Sequence, residues 1–100
     1  LVRWEPRGMV FTPPWSGEHY WAPEVTERRG VFHLTYSALN PRTRRHDIGI
    51  ATASSPLGPY TDRAILVRGD DNKVGVIDAT ICTDRGVSWL VYSEEEPRRI

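Results

Sequence analysis

The sequence predicts an all-β fold of antiparallel four-stranded blades of a β-propeller, with about one and a half blades in 100 residues. Three observations carry that expectation. Eight Pro and eight Gly cut the chain into short segments. Those segments are rich in Val, Ile, Thr, Tyr and Trp, whose branched or aromatic side chains suit a pleated surface. A strand–turn–strand unit also occurs twice, 56 positions apart.

The first strand is expected over residues 21–26, at the end of "PPWSGEHYWAPEV". The second covers 30–37, "GVFHLTYS". Its alternation puts Phe32, Leu34 and Tyr36 on one face and Val31, His33, Thr35 and Ser37 on the other. The polar loop "NPRTRRHD" leads to a strand over 46–53. There Ile48 and Ile50 lie opposite Gly49, Ala51 and Ala53, a small-residue face that would let another sheet approach closely. "SPLGPY" is a turn: Pro56 fixes φ at its second position and Gly58 closes it. A fourth strand is expected over 60–67. "RGDDNKVG" then reads as a loop of solvated charges, its RGD triplet a coincidence of three letters. Strands over 76–83 and 87–93 complete the pattern.

The repeat organises these elements. "VTERRGVFHLTYS" falls on "ICTDRGVSWLVYS", so that Arg29, Gly30, Val31, Leu34, Tyr36 and Ser37 meet Arg85, Gly86, Val87, Leu90, Tyr92 and Ser93. Each copy is a hairpin whose Gly supplies the positive φ of a tight turn. Two further strands follow the first copy, which makes four antiparallel strands per repeat and a period near 50, as in a propeller blade. On this division residues 1–19 end a preceding blade and form a linker, 20–67 are a complete blade, and 68–100 are the first half of the next. Such arrays need about three or more repeats to close a core. The chain, which has no starting Met, therefore reads as a fragment of a longer one.

A formal net charge of zero argues against broad attraction to nucleic acid or an anionic membrane. No apolar run is long enough to span a bilayer, and "LVRWEPRG" is not a signal peptide. The localisation is unread. The lone Cys82 excludes an internal disulfide, and no Cys/His cluster has zinc spacing, so no metal site is expected.

Asp78 interrupts the apolar run "GVIDATI", where a carboxylate is costly unless paired, hydrogen-bonded or useful. The repeat aligns it with Ala22, at the start of the innermost strand of its blade. Inner strands line the central channel of a propeller. Two readings follow: Asp78 faces a ligand in that channel, or it accepts backbone N–H bonds and ties blades together. Upstream, Trp15, Tyr20 and Trp21 accompany Glu18, His19 and Glu24. Aromatic faces cover the C–H surfaces of sugars and carboxylates accept from hydroxyls, which makes Trp21, Glu24 and Trp15 candidate carbohydrate contacts. The alternative is that these aromatics fill the core between blades. His33 and His46 have no visible partners and read as ordinary strand and loop residues, and Cys82 as a small buried apolar residue on the face of Asp78.

"YWAPEV", "IGIATASSPLGPYTD" and "VIDATICTDRGVSWLVYS", in that order, resemble glycoside hydrolase family 43 over about residues 20–93. The resemblance implies a five-bladed β-propeller and activity on arabinose- or xylose-containing polysaccharide or oligosaccharide. It also implies three carboxylates: a base, a general acid, and a third that raises the pKa of the acid and holds the sugar. Asp78 in "VID" matches the third, although Ala79 stands where the family usually has Pro. The base would lie on the blade before "WAP" and the acid on the blade after "ID", both outside this chain. Glu96-Pro97 comes too early to be the acid. The implied chemistry is inverting hydrolysis, with base and acid about 6.5–9.5 Å apart to admit a water. No cofactor is implied beyond a calcium ion in the full-length protein. The partners implied are a carbohydrate substrate and the remaining blades of the same domain. The alternative is a propeller that binds carbohydrate or acts as a scaffold without catalysis.

Overall fold

A computed structural model describes residues 2–12, 15 and 17–95. The strands are β1 (Glu18–Arg28), β2 (Val31–Asn40), β3 (Arg45–Ala53), β4 (Thr61–Val67), β5 (Gly75–Asp84) and β6 (Val87–Glu95). The first four form one antiparallel sheet in the order β1-β2-β3-β4, and the last two pair as a separate hairpin. The all-β, antiparallel expectation is borne out, each strand lying within a few residues of its anticipated place. One element departs from it. Gly69–Asn72, within the anticipated polar loop, form a single helical turn, α1, ended by Lys73 in the left-handed conformation.

Both hairpin turns place two successive residues at positive φ: Arg29 at 53° and Gly30 at 80°, Arg85 at 50° and Gly86 at 79°. This conformation matches the right-handed twist of the flanking strands. The "SPLGPY" turn closes as expected, the Gly58 N–H donating to the Ser55 carbonyl at 3.0 Å.

The first sheet is covered on both faces. On one, Leu34, Ala51 and Tyr60 form a buried cluster with Val10, Phe11, Phe32 and Ala53 against it. On the other, Ile48 packs with Val76 and Ala79 of β5, flanked by Val67, Leu90 and Tyr92. The second sheet therefore approaches the Ile48 face, not the small-residue face. What the small face accommodates is the Tyr36 ring, which a Cβ at Gly49 would overlap. Tyr36 donates to Asp62 Oδ1 at 2.6 Å and accepts from Trp15 Nε1 at 2.9 Å. Burial, then the hydrogen bond to Asp62, push its phenol well above the usual range, so it stays a donor.

Polar contacts join the sheets where apolar packing ends. Thr35 Oγ1 donates to the Ala79 carbonyl at 3.3 Å, and Ser37 Oγ accepts the Asp78 N–H at 3.0 Å. Arg28 Nη1 donates to Ser88 Oγ at 2.7 Å. The one carboxylate among the buried side chains of these sheets is Asp47, at 1% exposure. It accepts from the Gly69 N–H at 2.9 Å and from Asn40 Nδ2 at 3.1 Å, fixing α1 against β3.

Gly49→Ala in the complete protein is expected to cost about 1–3 kcal/mol, because rigid strand backbone and a hydrogen-bonded ring leave no room for a methyl. Urea unfolding measures it, and an unchanged midpoint would contradict the packing described.

Candidate functional site

The repeat noticed in the sequence is a repeat of backbone geometry. In β1, Trp21 pairs with Ser37 and Glu24 with Thr35, so Ala22 and Pro23 together oppose Tyr36. In β5, Ile77 pairs with Ser93 and Thr80 with Val91, so Asp78 and Ala79 together oppose Tyr92. Each is a β-bulge, two residues facing one, and bulges re-aim side chains. Its first residue has positive φ in both copies: 47° at Ala22 and 58° at Asp78. Asp tolerates that conformation better than most residues.

The bulge resolves the difficulty of an acid in an apolar strand. Val76 and Ala79 are buried, whereas Asp78 between them is exposed. Its own N–H is held by Ser37 Oγ, the residue paired with Trp21. Trp21 and Asp78 are thus gathered on two sides of Ser37. Glu24 of β1 is tied to β5, accepting a hydrogen bond from Thr80 Oγ1. Trp15 belongs elsewhere. Its indole N–H is occupied by Tyr36, and its ring lies 6.2 Å from Tyr20 and 6.4 Å from Tyr36, on the opposite face of the sheet.

His46 is the residue that sequence reasoning missed. Expected as an ordinary residue without partners, it is buried, stacked under Trp21 with ring centroids 4.2 Å apart, and its Nδ1 lies 3.1 Å from Glu95 Oε2. β1, β3 and β6 converge to make this arrangement, so nothing local in "RRHDIG" announces it. Trp21, 41% exposed, keeps much of its surface open while His46 fixes its plane. The expectation for Cys82 is also corrected. It is exposed, paired across the hairpin with Trp89, which is exposed as well. Glu96 and Pro97 lie outside the described residues. Among the described residues no group of three or more His, Cys, Asp or Glu is placed to hold a metal.

Compared with known proteins, the sequence matches the glycosyl hydrolases family 43 over residues 1–100. The chain belongs to this family. It is 28% identical over 101 residues to the extracellular endo-alpha-(1->5)-L-arabinanase 1 of Bacillus subtilis (strain 168), covering 89% of this chain and 31% of that protein. It is 30% identical over 79 residues to a beta-xylosidase of Xylanibacter ruminicola, covering 79% of this chain and 23% of that protein. The chain therefore spans a third or less of the length of these family 43 relatives. No solved structure matches it.

His46→Ala should destabilise the complete protein by about 2 kcal/mol, through the cavity it leaves and the lost stack. It should also make Trp21 more accessible to acrylamide quenching, an effect read as the difference from the same substitution made in a Trp21→Phe background. Quenching that does not change would show that His46 does not hold the indole.

Proposed function

We propose that the full-length protein is a glycoside hydrolase acting on arabinose- or xylose-containing polysaccharide or oligosaccharide. Membership of family 43, with an arabinanase and a beta-xylosidase among the relatives, supports this reading. The feature that supports extending it to particular residues is the exposed acid at the β5 bulge, whose N–H is held by Ser37, the residue that pairs with the half-open Trp21.

In this reading the mechanism is single displacement with inversion. A base activates water on one side of the anomeric carbon and an acid protonates the leaving oxygen on the other. Both belong to parts of the domain outside residues 1–100. Asp78 holds negative charge near the acid, which favours the acid's protonated form at working pH, and it accepts a hydrogen bond from a sugar hydroxyl. Trp21 offers its ring to the C–H face of the sugar, and Glu24, anchored by Thr80, accepts from a hydroxyl. Trp15 acts one step removed, by holding Tyr36 and Tyr20 in the aromatic layer behind β1. No cofactor enters the reaction, and any calcium ion would be held by the rest of the domain.

The remaining blades are the partners of this segment in the reading. Val87, Trp89 and Val91 lie in alternation on one face of β6 at 52%, 62% and 53% exposure, an apolar stripe suited to a further part of the same domain. A non-catalytic carbohydrate-binding propeller is the second reading. It shares the open indole but gives no reason for an acid held out of an apolar strand.

Asp78→Asn in the complete protein should lower kcat at least roughly 10-fold while leaving the unfolding midpoint within experimental error, since Asp78 is exposed and only its backbone N–H is used structurally. Near-normal turnover would remove Asp78 from the site. Residues 1–100 alone should not hydrolyse nitrophenyl arabinosides or xylosides. Measured turnover by this segment would mean that base and acid lie within it.

A further inference from the structure

His46 fixes the plane of Trp21, and a residue of the other sheet fixes His46. Its Nδ1 lies 3.1 Å from Oε2 of Glu95, the last residue of β6. The carboxylate reaches β3 across β5, passing over Gly75, the residue that pairs with Glu95 in the ladder. A Cβ at Gly75 would lie 2.5 Å from Glu95 Oε2 and 3.4 Å from the His46 backbone N. Gly75 is not at positive φ, so its backbone does not call for Gly. The missing side chain is what opens the path.

A carboxylate on one imidazole nitrogen is also the arrangement of a proton relay, in which the second nitrogen passes the proton on. Here the second nitrogen has no such outlet. His46 Nε2 is enclosed and has no hydrogen-bond partner among the described residues. The contact with Glu95 instead assigns the proton to Nδ1 and fixes the angle of the ring. The indole of Trp21 stacks on that ring with centroids 4.2 Å apart and planes 27° from parallel. Trp21, His46 and Glu95 border one cavity of about 560 Å³. Arg44, Arg45 and Lys73 around it are balanced by Glu18, Asp70 and Glu95, so charge selects no ligand there. The half-open indole is left as the surface that a sugar can use.

We propose that Glu95 and His46 are positioning residues: Glu95, through His46, sets the plane that Trp21 offers to a sugar, and Gly75 keeps the path between them open. The proposal rests on the glycosidase reading, in which Trp21 contacts substrate, and adds to it residues that act through the indole. It couples the seating of β6 to a sugar contact on β1.

The test compares variants of the complete protein on a nitrophenyl arabinoside and a nitrophenyl xyloside. Acrylamide quenching of Trp21 is read alongside, as the difference from the same variant in a Trp21→Phe background. Glu95→Ala should raise KM roughly 3- to 10-fold with kcat within about 2-fold, as expected when a binding surface is lost and the chemistry is not. It should also increase the quenching of Trp21. Gly75→Ala, which keeps the carboxylate but closes its path, should do the same. Glu95→Gln, which keeps an acceptor for Nδ1, should hold KM within about 2-fold of the unsubstituted protein. In a Trp21→Ala background, Glu95→Ala should have no further effect on KM. A merely structural Glu95 would lower Tm and leave KM and the quenching alone, and that result would overturn the proposal. So would an effect on KM that persists undiminished without Trp21, or a Glu95→Gln variant as impaired as Glu95→Ala. If neither glycoside is hydrolysed, the glycosidase reading fails, and the quenching still decides whether Glu95 holds the indole.

Discussion

The arrangement depends on how β5 is seated on β2. A strand without a sheet partner on one edge, as β5 is in its two-stranded sheet, has backbone groups that must find other partners. Here Ser37 accepts the Asp78 N–H and Thr35 donates to the Ala79 carbonyl, so two hydroxyls take the place of a ladder at the bulge. Each bond contributes only about 1 kcal/mol net. Their larger effect is geometric. They fix the residue at positive φ, and with it the outward direction of the acid. The buried neighbours Val76 and Ala79, packed on Ile48, prevent the strand from slipping by one residue, which would exchange acid and core.

The same seating separates two kinds of carboxylate. Asp47 is buried, accepts from a backbone amide and a side-chain amide, and is fully accounted for as an anchor of α1. Asp78 is exposed, and among the described residues only its backbone N–H is bonded to the other sheet. Trp15 and Trp21 divide in a parallel way. The first is locked by Tyr36 into the aromatic layer of one face, and the second is stacked on His46 at the other and left half open. Chemical type does not distinguish the members of either pair. Their partners do.

Much was legible in the sequence because β structure leaves local marks. The period-two pattern of Phe32, Leu34 and Tyr36, the Gly-closed turns at Gly30 and Gly86, and the Pro-Gly turn before Tyr60 all act over a few residues. The offset between Ala22 and Asp78 was visible for the same reason, since two copies of one supersecondary unit carry the same short-range constraints. What failed was any statement about which face would be covered. The small-residue face of β3 invites a close neighbour, but the neighbour is the ring of Tyr36 from the adjacent strand, and Cys82, expected in the interior, is exposed.

The sequence by itself determined the strands, their turns, the antiparallel hairpins and the singular position of one acid, because backbone propensity and alternation are local properties of the chain. Only the tertiary structure decided that His46 holds Trp21 and that Glu24 meets Thr80. It alone decided that cations from a turn, a strand start and a helix end surround one cavity. Apart from the adjacent Arg44, Arg45 and His46, those groups are separated by tens of residues and meet only after the sheets have packed. Their proximity is set by the crossing of β5 over the first sheet, for which no short stretch of sequence contains the information.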